Sequence, residues 1–274
     1  MKTSLTNYNR FESDSSRYAA YLETPEGRLR ADLAFVNLQD SLPPLHGTRT
    51  LHALDLGCGT GTASVRLARL GFRVTLLDSS PAMLELAEKT IAEAGTADNV
   101  IVKHGDAARL AETFPARSFD VILCHNLLEY VDDPAVVLHG AVKIMRDSSS
   151  ILSILVRNQA GEVLKAALQT GDLAAAQRTL AAEWAQESLY GGKARLFTLE
   201  SLSGMLQEAS LTITARRGVR IISDYLPAQV SRSTEYDRIL ALERRLGNRE
   251  EFIGVARYLQ CVARYRASQS EVRQ

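Results

Sequence analysis

From about residue 50 the chain alternates short apolar runs with stretches whose apolar residues recur at helical spacing, the pattern of a parallel sheet with crossover helices. The runs are "LHALDL" (51–56), "FRVTLLD" (72–78), "NVIVKHGD" (99–106), "FDVILCHN" (119–126) and "ILSILVRN" (151–158). Between them lie "TASVRLARLG", "SPAMLELAEKTIAEAG" and "DPAVVLHGAVKIMR". In the second of these Met83, Leu84, Ala87 and Ile91 share one face, with Ser80 as N-cap and Pro81 as first helical residue. Ahead of the sheet, "ETPEGRLRADLAFVNLQDSL" predicts a helix capped by Thr24, opened by Pro25 and buried along Leu29, Leu33 and Val36. Arg30 falls one residue off that stripe, positioned to run along the domain surface towards a ligand.

Beyond Asn158 the alternation breaks. "EVLKAALQTGDLAAAQRTLAAEWAQ" is alanine-rich and reads as helix, part of an insertion over 159–195 that would cap the ligand edge of the sheet. "TLESLSGMLQEAS" then predicts a helix capped by Thr198, with Ser201 where a full capping box takes an acid or amide. Two long strand-like runs, "LTITARRGVRIISDYL" and "FIGVARYLQCVARYR", flank the helical "STEYDRILALERRLG", and a late antiparallel pair closing a mostly parallel sheet accounts for them. The expected layout is one domain over 1–274: an N-terminal helical cap (1–48), a ligand-binding core (49–158), the helical insertion (159–195) and the C-terminal part of the sheet (196–274).

Composition narrows the function classes. With 274 residues, 46% of them hydrophobic, the chain is long enough for one sizeable core. Lys plus Arg and Asp plus Glu both number 32, so no global field draws the protein to nucleic acid or membrane, and an anionic partner must meet a local patch. Cys58, Cys124 and Cys261 sit on separate segments without a paired C-x-x-C, which speaks against a zinc site or a disulfide framework and predicts reduced core thiols with no metal. The first residues carry no apolar run of signal-peptide length, and no stretch approaches about 18 uninterrupted apolar residues, so a cytoplasmic protein without a membrane partner is expected.

The chemistry concentrates at "LDLGCGTGTAS" (54–64). In a dinucleotide fingerprint G-x-G-x-x-G, Gly57 and Gly59 match but Thr62 takes the third glycine's place, and Gly61 arrives one residue early. Read from Asp55, the pattern resembles motif I of class I methyltransferases, whose ligand S-adenosylmethionine has no pyrophosphate to seat on a helix N-terminus. Asp78 ends the second run about 20 residues on, where a carboxylate accepts hydrogen bonds from both ribose hydroxyls. A helix-capping role is the other reading, because Ser79, Ser80 and Pro81 follow it. The third run ends in "GDAARL", and the resemblance to class I methyltransferases, which commonly set an acid and the next amide here against the adenine, makes Asp106 and Ala107 candidates for that edge. His125 closes the fourth run beside the switch point, at the cofactor's methionine end or the transfer cleft, whereas Asp132, Asp133 and Pro134 read as the start of the next helix.

Taken together, "EGRLR", "LDLGCGTGT", "LLDSSPAML", "CHNLLEYVDDP", "GVRIISDYL" and "ARYLQCVAR" resemble the bacterial tRNA 5-carboxymethoxyuridine methyltransferase family over roughly residues 10 to 266. The resemblance implies a Rossmann-like class I methyltransferase sheet, mostly parallel with a C-terminal antiparallel strand. It also implies methyl transfer from S-adenosylmethionine to the carboxylate of a modified wobble uridine in tRNA. Carried over, the family's cofactor contacts fall on Arg30, Gly57, Cys58, Asp78, Ala107, Ala108 and His125; motif I and the third run add Asp55, Gly59 and Asp106. An arginine at position 30 suits the carboxylate of the cofactor's methionine part.

A carboxylate acceptor, with a pKa of about 4, is ionised at neutral pH and needs no general base, so catalysis reduces to placement, with His125 as a positioning group. The acceptor or the phosphates around it would be held by Arg157, Arg195, Arg216, Arg217 and Arg220, with Tyr225 and Arg232 near the same mouth. Two departures stand out: the family's lysine-rich stretch before the last helix is "SLYGGKARLF" here, with Lys193 and Arg195, and its Arg-Pro-Gly-Gly turn is "RDSSS". Two other readings stay open. One is a methyltransferase for a small-molecule carboxylate, hydroxyl or amine with the insertion as a lid, and the other a cofactor-binding protein without turnover.

Overall fold

Each of the five apolar runs becomes a strand in the computed structural model, which describes residues 15–44, 49–187 and 192–265. They are β1 (His52–Leu56), β2 (Arg73–Asp78), β3 (Val100–His104), β4 (Val121–His125) and β5 (Ile151–Arg157), all mutually parallel. Because both faces of a crossover sheet are covered by helices, these strands read as unbroken apolar runs. Leu54, Leu56, Ile122, Cys124, Leu152 and Ile154 point to one side, while Ala53, Val121, Leu123 and Ile151 point to the other.

The crossover helices are α3 (Thr62–Arg69), α4 (Pro81–Glu93), a single turn α5 (Leu110–Thr113) and α6 (Pro134–Ile144). Ser80 caps α4 through the Met83 amide, and its predicted stripe of Met83, Leu84, Ala87 and Ile91 is the buried one. Asp133 caps α6 through the Ala135 amide with Pro134 next, as its sequence suggests.

Two helices precede the sheet, α1 (Ser15–Glu23) and α2 (Pro25–Gln39). Thr24 caps α2 by accepting the Gly27 N–H at 3.1 Å. The buried face of α2 is broader than the predicted stripe: Leu29, Leu33, Ala34, Phe35 and Leu38 are buried, and Val36 is only partly so. The reason is a second contact. Leu29, Leu33 and Ala34 pack with Leu155, Val219, Ile239 and Tyr258, while Phe35 and Leu38 reach the core on the α3 side. Arg30 shares that inward face and is buried, not laid along the surface.

The insertion departs most from its sequence reading. It comprises α7 (Gln159–Leu164), a π-helical turn (Lys165–Gln169) and α8 (Leu173–Thr179), with Gly171 at φ 68° breaking the helix between them. It ends not in helix but in a small antiparallel hairpin, β6 (Trp184–Gln186) with β7 (Lys193–Arg195). The Trp184 ring, a good strand former, lies 4.5 Å from the Arg195 guanidinium across the pair. Residues 188–191, within the stretch where the lysine-rich departure falls, lie outside the described residues, as do 1–14, 45–48 and 266–274.

In α9 (Leu199–Glu208) Ser201 completes the capping box after all: its hydroxyl accepts the Thr198 N–H at 2.9 Å while Thr198 accepts the Ser201 N–H at 3.0 Å. A short hydroxyl side chain reaches as well as the usual acid. The two late runs form β8 (Leu211–Val219) and β9 (Tyr258–Tyr265), each shorter than its apolar run. Strand β8 stops because Arg220 adopts φ 61°, after which the amides of Ile221, Ile222 and Ser223 are all taken by the buried Glu243 carboxylate. That carboxylate sits on α10 (Tyr236–Gly247); ahead of β9, residues Glu250–Ile253 form a helical turn, α11. The seven-stranded order is β3-β2-β1-β4-β5-β9-β8, with β9 antiparallel to both neighbours.

Candidate active site

Strand order reverses between β1 and β4, and in open α/β sheets ligands bind where loops leave the carboxyl ends at such a point. A cleft of about 870 Å3 lies there. Antiparallel β9 adds its amino end to this same edge, since Arg157 at the end of β5 is in register with Tyr258 at the start of β9, which pairs with Val219 of β8. The cleft therefore has one wall from β1 to β4 and another from β5, β8 and β9.

The first wall is mostly backbone. Gly57 and Cys58 hang their amides on the Leu77 carbonyl at 2.8 and 3.2 Å, so the loop lies flat against β2. Gly57 holds φ 62°, a backbone conformation that favours glycine, and a Cβ there would also press on Leu127 Cδ1 at 2.9 Å. Gly61, at φ 74°, is the turn into α3. Asp78 Oδ2 accepts the Gly59 N–H at 2.9 Å and Oδ1 the Ser80 N–H at 3.0 Å. Asp78 thus steadies the entry to α4 while Ser80 does the capping, and its carboxylate lines the cleft with lone pairs to spare. Burial raises its pKa, outweighing the loop amides that pull it down. Asp106 and Ala107 stand in the wall beside it, and Asp106 consumes the Ala108 amide at 2.8 Å.

Two predicted contacts sit behind this wall. Asp55 does not face the main cleft; its Oδ2 accepts the Ser64 hydroxyl at 2.6 Å, bracing the loop against α3. Burial lifts that carboxyl to about 7. Cys58 likewise lines only a side recess shared with Arg30, Thr60 and Arg66, and burial pushes its thiol up.

His125 lies between the walls. Its Nε2 is 2.8 Å from the Ser153 hydroxyl, and burial followed by the Arg30 charge lowers its pKa to about 4, so the ring is neutral. A neutral, hydrogen-bonded imidazole shapes the cleft without adding charge.

The second wall carries the charge. Arg30, Arg157, Arg220 and Arg257 are all buried and all line the cleft around Tyr258. Burial alone would raise the Tyr258 phenol, but the four arginines together outweigh it and bring its pKa down to about 8. Arg157 donates to Glu162 at 2.9 Å and Glu187 at 3.0 Å, Arg220 pairs with Asp224 and donates to Tyr21, and Arg30 donates to Tyr18 at 3.0 Å. The insertion closes over this end through Lys165, Gln169 and Glu187.

Of the arginines expected at the acceptor, only Arg157 and Arg220 reach the cleft. Arg195 lies over Trp184, Arg217 bonds the Arg216 carbonyl at 2.8 Å on the outermost strand, and Arg232 braces the Ser223 and Leu226 carbonyls. Tyr225 turns to the Gly161 carbonyl at 3.5 Å and does not line the cleft. In their place stand Tyr18, Tyr21, Arg257 and Tyr258. The last two lie within the "ARYLQCVAR" stretch, and the signal that finds them is strand direction: an antiparallel neighbour of β5 must begin at the ligand edge. Among the described residues no group of three His, Cys, Asp or Glu is placed to hold a metal ion, and no helix is long and apolar enough to cross a membrane.

Bare glycine backbone beside a cleft-facing Asp78, with Arg30 and His125 farther along, fits an adenosyl ligand that ends in an ammonium carboxylate. A methyltransferase-domain family model matches residues 48–235, and the chain belongs to that family: it is an S-adenosylmethionine-dependent methyltransferase. Among its relatives, the tRNA 5-carboxymethoxyuridine methyltransferase of Escherichia coli strain K12 is 28% identical over 256 residues, covering 91% of this chain and 93% of that protein. The ubiquinone biosynthesis O-methyltransferase of Paracidovorax citrulli is 35% identical over 127 residues, 46% of this chain and 51% of that one. In structure, an S-adenosylmethionine-dependent methyltransferase of Thermotoga maritima superimposes with a TM-score of 0.62 at 15% identity, over 95% of this chain and all of that one (100%).

Proposed function

We propose that this enzyme methylates the carboxylate of 5-carboxymethoxyuridine at the wobble position of tRNA, giving the methyl ester. The observation that carries the reading is the arginine-ringed wall around Tyr258, which faces the glycine and Asp78 wall across one cleft. S-adenosylmethionine supplies a methyl group on a positively charged sulfur. Gly57, Gly59, Asp78 and the Asp106–Ala108 turn would hold its adenosyl part, and Arg30 its carboxylate. The acceptor carboxylate attacks in line: the O–CH3 bond forms as the S–CH3 bond breaks, the electron pair stays on sulfur, and no proton moves. A carboxylate that is already ionised asks nothing of a base, and His125, its pKa lowered to about 4, is only a weak one. The arginine wall and the insertion instead fix the acceptor and exclude water, which is where the rate arises.

The E. coli relative's near full-length match supports tRNA as acceptor and, with it, a cytoplasmic location. A small-molecule acceptor is the second reading, favoured by the way the insertion roofs the cleft and by the O-methyltransferase relatives. The test is incubation with labelled S-adenosylmethionine and bulk tRNA from cells lacking the enzyme. Label in tRNA is expected; label only in a metabolite extract would replace the first reading by the second.

A further inference from the structure

The four arginines around Tyr258 differ in what their N–H groups do. Arg157, Arg220 and Arg30 each donate hydrogen bonds to a named partner. Arg257 is 5% exposed and lines the cleft, and its buried Nε and Nη1 have no hydrogen-bond partner among the described residues. Glu162 Oε1 lies 2.9 Å from its Nη1 and Asp224 Oδ2 lies 3.2 Å from its Nε, yet neither contact is aligned, and both nitrogens stand unsatisfied. Buried donors nearly always find an acceptor, so a guanidinium whose charge is balanced while its buried Nε and Nη1 donors go unused points to a ligand.

Its position is firmly built. The Arg257 N–H donates to the Arg220 carbonyl at 2.7 Å, its carbonyl accepts the Asn158 N–H at 3.0 Å, and the Asn158 side chain holds the Ala256 and Gly254 carbonyls at 2.7 and 2.9 Å. Gly161 packs so closely that a Cβ would lie 2.4 Å from the Ala256 carbonyl oxygen. Such a backbone holds the arginine at the cleft edge whether or not a ligand is present.

We infer that Arg257 receives the carboxylate of the methyl acceptor through a two-point guanidinium–carboxylate pair and thereby selects an acid over a neutral acceptor. The inference rests on the carboxylate-acceptor reading above. A planar fork of parallel N–H groups matches the two carboxylate oxygens, and Glu162 and Asp224 keep the guanidinium charged and oriented until the acceptor arrives. Binding both oxygens also turns a lone pair towards the methyl group. Lys could match the charge but not the fork.

The test uses the full chain with S-adenosylmethionine and tRNA bearing 5-carboxymethoxyuridine, comparing wild type with R257K, R257Q and the charge-balanced pair R257Q/E162Q, each checked for a cooperative thermal melt. For R257Q and the double variant the expected result is a KM for tRNA raised about 100-fold, R257K recovering about tenfold of it, with cofactor Kd within about twofold of wild type. The second readout is inhibition by the free nucleoside 5-carboxymethoxyuridine and by its methyl ester. Wild type should prefer the acid by about tenfold or more, and the double variant should lose that preference. A folded double variant that keeps the preference, or a KM near wild type, overturns the Arg257 assignment while leaving carboxylate methylation standing. Equal binding of acid and ester by wild type overturns it as well. A wild-type enzyme that leaves this tRNA unmethylated overturns both.

Discussion

Asp78 and Asp55 stand on opposite sides of the same glycine loop, and their surroundings give them different work. Asp78 is held by two loop amides and faces the cleft; Asp78→Ala should weaken S-adenosylmethionine binding by about 10- to 100-fold, measured by calorimetry, because it removes a hydrogen-bond acceptor and loosens the loop. Unchanged affinity would remove it from the ribose site. Asp55 keeps its proton up to about 7 in the folded protein, against 3.8 when unfolded. Between those values the folded chain binds the extra proton, so its contribution to stability falls as pH rises through the window, by up to about 1.4 kcal/mol per unit. Asp55→Asn should therefore raise the melting temperature relative to wild type more at pH 8 than at pH 5, and an equal shift at both would contradict the buried, protonated acid. Sequence showed both acids; only the fold shows that one lines the cleft and the other is buried behind it.

At the scale of elements, periodicity located all five parallel strands, because strands buried on both faces leave an unmistakable apolar run. It failed where tertiary contacts choose the outcome. The end of β8 is set by Glu243, some 20 residues on, and the Trp184 hairpin by a cross-strand ring contact, neither of which local pattern encodes. Arg217 and Arg195 were plausible acceptor residues by position alone, but β8 is the outer strand and β7 belongs to a separate hairpin. Arg257 was hidden for the complementary reason, that strand direction decides which end of β9 meets the cleft. The capping box of α9 gives a control: Thr198→Ala should cost about 1 kcal/mol of stability by denaturant titration and leave turnover unchanged, since α9 buries Leu202 and Leu206 and contributes no residue to the cleft lining. A loss of activity without a loss of stability would tie α9 to the site.

For the whole molecule, equal numbers of basic and acidic residues mean that, on the proposed reading, tRNA would be held locally, by a few contacts and by the arginine wall. Binding of tRNA should accordingly show a shallow dependence on salt, a log–log slope of about −2 to −4, where a basic RNA-coating protein would be much steeper. The same neutrality suits an enzyme that recognises one negatively charged modification more than a phosphate backbone. Ester formation is what separates a carboxylate acceptor from a hydroxyl or an amine, and esters alone yield to mild alkali. The decisive measurement is the fate of a labelled methyl group after transfer to tRNA. Release as labelled methanol on brief alkaline treatment is the predicted result, and label that survives as an ether or methylamine contradicts carboxylate methylation.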